Sequence, residues 1–305
     1  MGADMSRPTQ DPAQTFGGII LMCVGVACLC VNDAIGKALT THYPPLQVLF
    51  MRNAIALPIA ILVVLRLGGA QALKSYRPVT HLVRGALWLA AAGLFFTGIQ
   101  YLGLAQATAL IFVAPVFITA LGALLLKEQV GWRRWLAVLA GFGGVLIVLR
   151  PGGEAFQTAA LLPITTAFFY ALLMISARWV DPRESVWTLM LYLVGGGGLI
   201  AAVLMPFLWV PLRSQDWMLF VGIAFFGTAG MTMMTQAFRL APAVVVAPFD
   251  YTALVWATLL GLIFWAEIPD MATYVGAGVI IASGGFILWR ESRANKKAPA
   301  PARGA

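Results

Sequence analysis

Charge is what this chain has least of. Only 10% of its 305 residues are Asp, Glu, Lys or Arg, against about 25% in soluble domains. So few charges cannot cover the water-facing surface of a chain this long, which excludes a soluble globular class. Histidine is nearly missing: His42 and His81 are the only two. No His, Cys and carboxylate cluster has metal-ligand spacing, so no metal is expected. No G-x-S-x-G, no carboxylate pair on a common face and no phosphate loop of the G-x-x-x-x-G-K-[ST] kind occurs, so the reading is no enzyme and no cofactor. The three cysteines, Cys23, Cys28 and Cys30, crowd into the first apolar run. They read as small packing residues and not as a disulfide framework. No short apolar core ends in an A-x-A site, so the first hydrophobic run is expected to be a retained helix.

What is there instead is length without polarity. The chain is 61% hydrophobic with a mean hydropathy of +0.87. Each membrane span needs about 20 apolar residues, and ten such runs follow one another: Phe16–Ala38, Leu46–Leu65, Val79–Ile99, Leu104–Leu126, Trp132–Leu149, Ala159–Trp179, Val186–Val210, Trp217–Phe238, Pro242–Trp265 and Ala272–Trp289. The expected fold is therefore an all-α integral membrane protein with ten transmembrane helices. The net charge of +8 does not point to nucleic acid, because the basic residues sit in short loops. With the N-terminus inside, all Lys and Arg but Lys37, Arg52, Arg150 and Arg213 fall on the cytoplasmic side, 16 of 20. That bias places both termini in the cytoplasm and the chain in the inner membrane.

The halves repeat. Gln100-Tyr101-Leu102-Gly103-Leu104-Ala105 aligns with Gln236-Ala237-Phe238-Arg239-Leu240-Ala241, and Gly122 and Glu128 align with Gly261 and Glu267. The organisation read from this is a cytoplasmic tail over 1–15, a first five-helix repeat over 16–152, a second over 159–290, and a basic disordered tail over 291–305. Five is odd, so the second repeat is inverted relative to the first. Inverted repeats with proline-interrupted helices are the layout of secondary transporters that work by alternating access. The alternatives carried beside this are a channel and an integral-membrane enzyme.

A charge inside the bilayer costs about 2.5–3.5 kcal/mol on insertion scales, so each one needs a reason. Asp33, Lys37 and Arg52 form the expected intramembrane charge network, with Asp33 and Lys37 four apart on one helix face. The alternative is a plain structural network, with Lys37 snorkelling to the interface. Asp250 lies deep in the ninth run, beside Pro248, whose ring leaves a backbone carbonyl without its donor. It is a candidate for solute binding or proton coupling, against a capping role or a fixed pairing with Arg52. Pro115 and Pro248 are the expected helix kinks. Tyr251, Trp256, Tyr170, Phe112 and the paired Gln100 and Gln236 are candidates to line a cavity. Glu128 and Glu267 read as structural helix ends.

Asn32-Asp33-Ala34-x-x-Lys37, Phe50-x-Arg52, Arg77-Pro78-x-x-His81-x-x-Arg84-Gly85, Pro115 with Lys127-Glu128, and Pro248-Phe249-Asp250-Tyr251-Thr252 occur in order. This pattern resembles the drug/metabolite transporter superfamily, EamA type, over about residues 16–290. The Asn32-Asp33, Arg77-Pro78 and Arg84-Gly85 motifs resemble most the branch with S-adenosylmethionine and riboflavin carriers. The resemblance implies a small polar metabolite, riboflavin-, S-adenosylmethionine- or amino-acid-like, moved inward or outward. It implies a central cavity between the halves, with Asn32, Gln100, Thr108, Phe112, Tyr170, Gln236, Asp250 and Tyr251 as its candidate lining. Asp250 departs from the amide or glutamate of many relatives. The lipid bilayer and the solute are the expected partners; a homodimer is left open.

Overall fold

The computed structural model describes residues 12–125, 131–150, 158–176, 179–181, 183–240 and 246–297. Glu128, Pro242 and the N-terminal 11 residues lie outside them. Among the described residues every regular element is helical: α1 (Pro12–Leu39), α2 (Pro45–Leu67), α3 (Pro78–Tyr101), α4 (Leu104–Ile111), α5 (Ala114–Leu125), α6 (Trp132–Leu149), α7 (Leu161–Ser176), α8 (Val186–Leu208), α9 (Trp217–Leu240), α10 (Thr252–Trp265) and α11 (Met271–Lys297). Seven helical stretches are long and apolar enough to cross a membrane, with α4 and α5 counted together as Leu104–Leu125. Three shorter apolar helices, Trp135–Leu149, Phe249–Trp265 and Met271–Phe286, complete the set.

Local chemistry sets the ends. Pro45 and Pro78 open α2 and α3, where a missing N–H costs nothing. Ser185 caps α8 by accepting the Thr188 N–H at 3.2 Å. Asp270 caps α11 through the Thr273 N–H at 2.8 Å and also takes Arg150 Nη2 at 2.5 Å. The tail is expected over 291–305, and α11 runs to Lys297.

One of the two expected kinks is a break: the fourth span stops at Phe112–Val113 and restarts as α5, with Pro115 in its first turn. In the ninth, the tight 3-10 turn Ala247–Tyr251, with Pro248 second, leads without a gap into α10. Proline at the start of a segment is tolerated where one inside a helix is not.

Packing crosses between the halves. The main pairs are α1 with α9, α3 with α7, α2 with α8, α6 with α11, and α4 with α10. The pattern is unchanged when each span is exchanged for the one five places on. Glycine permits close crossings: a Cβ on Gly85 of α3 would lie 2.8 Å from the Gly197 nitrogen of α8, so the backbones touch directly, as small residues permit in lipid. The exterior is apolar, with Phe207, Met218 and Ile263 among the most exposed side chains.

Loop bonds sort by parity. Tyr43, between α1 and α2, donates to Asp216 Oδ2 before α9 at 2.6 Å. Arg150, after α6, meets Asp270, before α11. At the other end the α2–α3 loop bonds to the α7–α8 loop: Glu184 accepts Ser75 Oγ at 3.0 Å, the Tyr76 N–H at 2.6 Å and the Arg77 N–H at 3.2 Å, and contacts His81 Nε2. An up-and-down path brings these loops to two opposite ends.

Candidate functional site

The break in the fourth span faces the tight Ala247–Tyr251 turn of the ninth. Phe112 at the first and Tyr251 at the second are edge to face, with ring centroids 5.1 Å apart at 74°. Asp250 precedes Tyr251 in the tight turn. Its carboxylate has no donor among the described residues, and the groups that feel its field are Cys30, Tyr170 and Tyr251. Cys30 Sγ lies 3.6 Å from the Ala253 carbonyl, which ties α1 to this turn.

Asn32 and Asp33 sit less than one turn further along α1. Asn32 is buried and donates to Asp33 Oδ1 at 2.9 Å, and its own Oδ1 has no partner. Arg52 of α2 lies within electrostatic reach of Asp33 and places its guanidinium 4.7 Å from the Trp88 ring centroid on α3. Gly227 of α9 leaves the room for both: a Cβ there would stand 2.7 Å from Asn32 Oδ1 and 3.8 Å from Arg52 Cδ.

Asp33, Arg52 and Asp250 are half-buried and Tyr170 is 42% exposed. Elements of both halves supply these groups: α1, α2 and the α4–α5 break from the first, α7 and the Ala247–Tyr251 turn from the second. Tyr251 Oη, buried without a partner, points to Gly284 on α11, where a Cβ would come within 2.3 Å.

Of the residues read from the sequence, Asn32, Asp33, Arg52, Phe112, Tyr170, Asp250 and Tyr251 gather here. The others go elsewhere. Lys37 does not pair with Asp33. Its ammonium pairs with Glu267 and donates to the Leu102 carbonyl at 3.0 Å, because its long stem reaches the end of α10 while the short Asp33 is held by Asn32. The expected network of three is thus two separate groups, and the charge near Arg52 is Asp33 rather than Asp250. Gln100 donates to the Thr40 carbonyl at 2.7 Å, near Lys37. Gln236 lies 20 residues after Asp216, about 30 Å along α9 at 1.5 Å per residue, and Asp216 is at the Tyr43 end. The two amides are therefore at opposite ends of the bundle. Thr108 spends its hydroxyl on its own helix, bonding Leu104 O at 2.8 Å.

The sequence reading missed three pairings: Trp88 under Arg52, Glu267 on Lys37, and the His81–Glu184 contact between the halves. His81 stacks on Tyr192 at 4.8 Å. Burial pushes the Glu184 carboxyl up, but the bonds from His81, the Tyr76 N–H and Ser75 outweigh it and hold the group below the ordinary carboxylate value. Arg84 also crosses between halves, donating to Leu173 O and Ser176 Oγ at 3.0 Å each.

Comparison with known proteins agrees with this architecture. The profile of the EamA-like transporter family matches twice, over residues 16–150 and 157–289. The riboflavin transporter of Vibrio cholerae is 28% identical over 92% of this chain and 95% of its own. The S-adenosylmethionine uptake transporter of Rickettsia prowazekii is 26% identical over 93% and 96%. The pseudopaline exporter of Pseudomonas aeruginosa is 26% identical over 87% and 94%. One solved protein structure superposes with a TM-score of 0.61 over 92% of this chain and 98% of its own at 18% identity, a likeness of fold.

Proposed function

The chain belongs to the EamA-like transporter family and is a multi-pass inner-membrane protein; on that premise we propose that it is a secondary carrier of a small polar metabolite. The solute is riboflavin-, S-adenosylmethionine- or amino-acid-like. It moves by alternating access between two inverted five-helix repeats, in a bundle of ten spans with both termini cytoplasmic. The exchange symmetry of the helix pairs and the parity of the loop bonds support that layout.

The observation that carries the reading is the meeting of the α4–α5 break and the Ala247–Tyr251 turn beside an acid that has no donor among the described residues. Interrupted spans at the interface of inverted repeats are where carriers of this kind bind solute. Phe112 and Tyr251 offer aromatic surface to a flat or apolar part. Asp33, Arg52 and Asp250 offer charge. Asp250 is also the group proposed to take up a coupling proton, since an acid without a partner in an apolar setting has its charged form disfavoured. Export of such a metabolite by the same fold is the second reading, supported by the exporter among the relatives.

The test is a thermal-shift screen of the purified protein with riboflavin, S-adenosylmethionine and amino acids, followed by counterflow of each hit in proteoliposomes. Saturable counterflow is expected. Voltage-driven, unsaturated current in its place would make the protein a channel.

A further inference from the structure

At the end of the bundle where α1 finishes and α4 begins lies a cavity of 490 Å³, within the usual size of small-molecule sites. Lys37, Thr40, Gln100, Tyr101, Trp265 and Glu267 line it. Lys37 is only 7% exposed. Its ammonium pairs with Glu267 and stands 5.2 Å from the Trp265 ring centroid. Glu267 also accepts the Leu104 N–H at 2.9 Å, which caps α4. The pair therefore ties the end of α10 to α1 and α4 across the two halves.

Consider what can enter this cavity and compete for these two groups. Pulling Lys37 from Glu267 in a sheltered setting leaves two charges without partners, which costs far more than the pair itself contributes. A solute with a single charge can satisfy one group and strands the other. A solute with a carboxylate and a cationic group satisfies both, its carboxylate on Lys37 and its cation on Glu267. Trp265 offers its face to the same cation. The exchange replaces one ion pair by two.

We infer that this outer cavity is a zwitterion-binding site, and that its occupation unties the halves at that end. The untying rests on the carrier reading given above; the binding does not.

The test uses the full chain in lipid nanodiscs, with radiolabelled L-phenylalanine and L-methionine as probes. Their amides keep only the cation, and their N-acetyl forms keep only the anion. At least one zwitterion binds, and its amide and N-acetyl form compete at least about tenfold more weakly. Lys37→Met and Glu267→Gln each weaken zwitterion binding about tenfold or more, and Lys37→Arg restores it. Tyr101 is 67% exposed at the rim. In Tyr101→Cys, the zwitterion protects the new thiol from a maleimide and the amide does not. That readout stands even where a Lys37 or Glu267 variant fails to fold. Equal competition by the singly charged analogues, no binding of either zwitterion, or no protection of the thiol overturns the inference. Counterflow of no solute at all would instead sink the carrier reading, whatever binds here.

Discussion

Tyr251 rests edge-on against Phe112, and its hydroxyl fills the space that Gly284 leaves open on α11. One absent methyl group thus sets where this aromatic pair stands. A Cβ at 284 would lie 2.3 Å from Tyr251 Oη. Gly284→Ala is expected to push the ring off Phe112 and weaken substrate affinity about tenfold, or about 1.4 kcal/mol. Substrate binding by the folded variant is the measurement, and unchanged affinity would remove Tyr251 from the site.

Asp250→Asn separates binding from coupling. Counterflow, which needs no gradient, should persist. Accumulation driven by an imposed pH gradient should be lost, since Asn carries no titratable proton. Gradient-driven accumulation equal to that of the parent protein would show that Asp250 is not the coupling group.

Glu184 gives a pH prediction with a definite sign. Its carboxyl is held below the ordinary value in the folded protein. Such a group stabilises the fold above the unfolded-state pKa, and the contribution is lost as pH falls through the lower folded value. Glu184→Gln should therefore cost about 1–3 kcal/mol near neutrality. Thermal unfolding of the two proteins should converge in acid. A gap that widened in acid would reverse the assignment.

The α3–α8 crossing offers a stability test with an internal control. Gly85→Val places side-chain atoms where the Gly196 and Gly197 backbone already stands, and should cost about 1–3 kcal/mol. Gly143→Ala meets nothing within 4 Å and should leave the unfolding temperature unchanged or raised. Equal loss in both would mean that backbone flexibility, not contact, governs these positions.

Much of the bundle could be read from the sequence because membrane spans are written locally, as runs of apolar residues with prolines where helices fail. Pro115 and Pro248 marked the two places where these helices leave regular α geometry. What stayed hidden is whatever crosses from one helix to another. Spacing along α1 pairs Lys37 with Asp33, yet the nearest carboxylate in space belongs to a residue 230 positions away. Glu267 gets there because Ala266 takes a left-handed backbone, φ 52°. A glycine would have announced that turn, and an alanine does not. Gln100 and Gln236 mislead for a different reason: inversion sends matching positions near helix ends to opposite faces of the membrane.

The exchange of partners between the halves bears on how the chain is made. The extensive pairings all join a helix of the first half to one of the second, so α1, α2 and α3 enter the bilayer before their partners have been synthesised. Through that interval Gly85 has no glycine backbone to meet, and Arg84 has no Leu173 carbonyl or Ser176 hydroxyl to receive its protons. Those groups meet their partners only once α7 and α8 have followed.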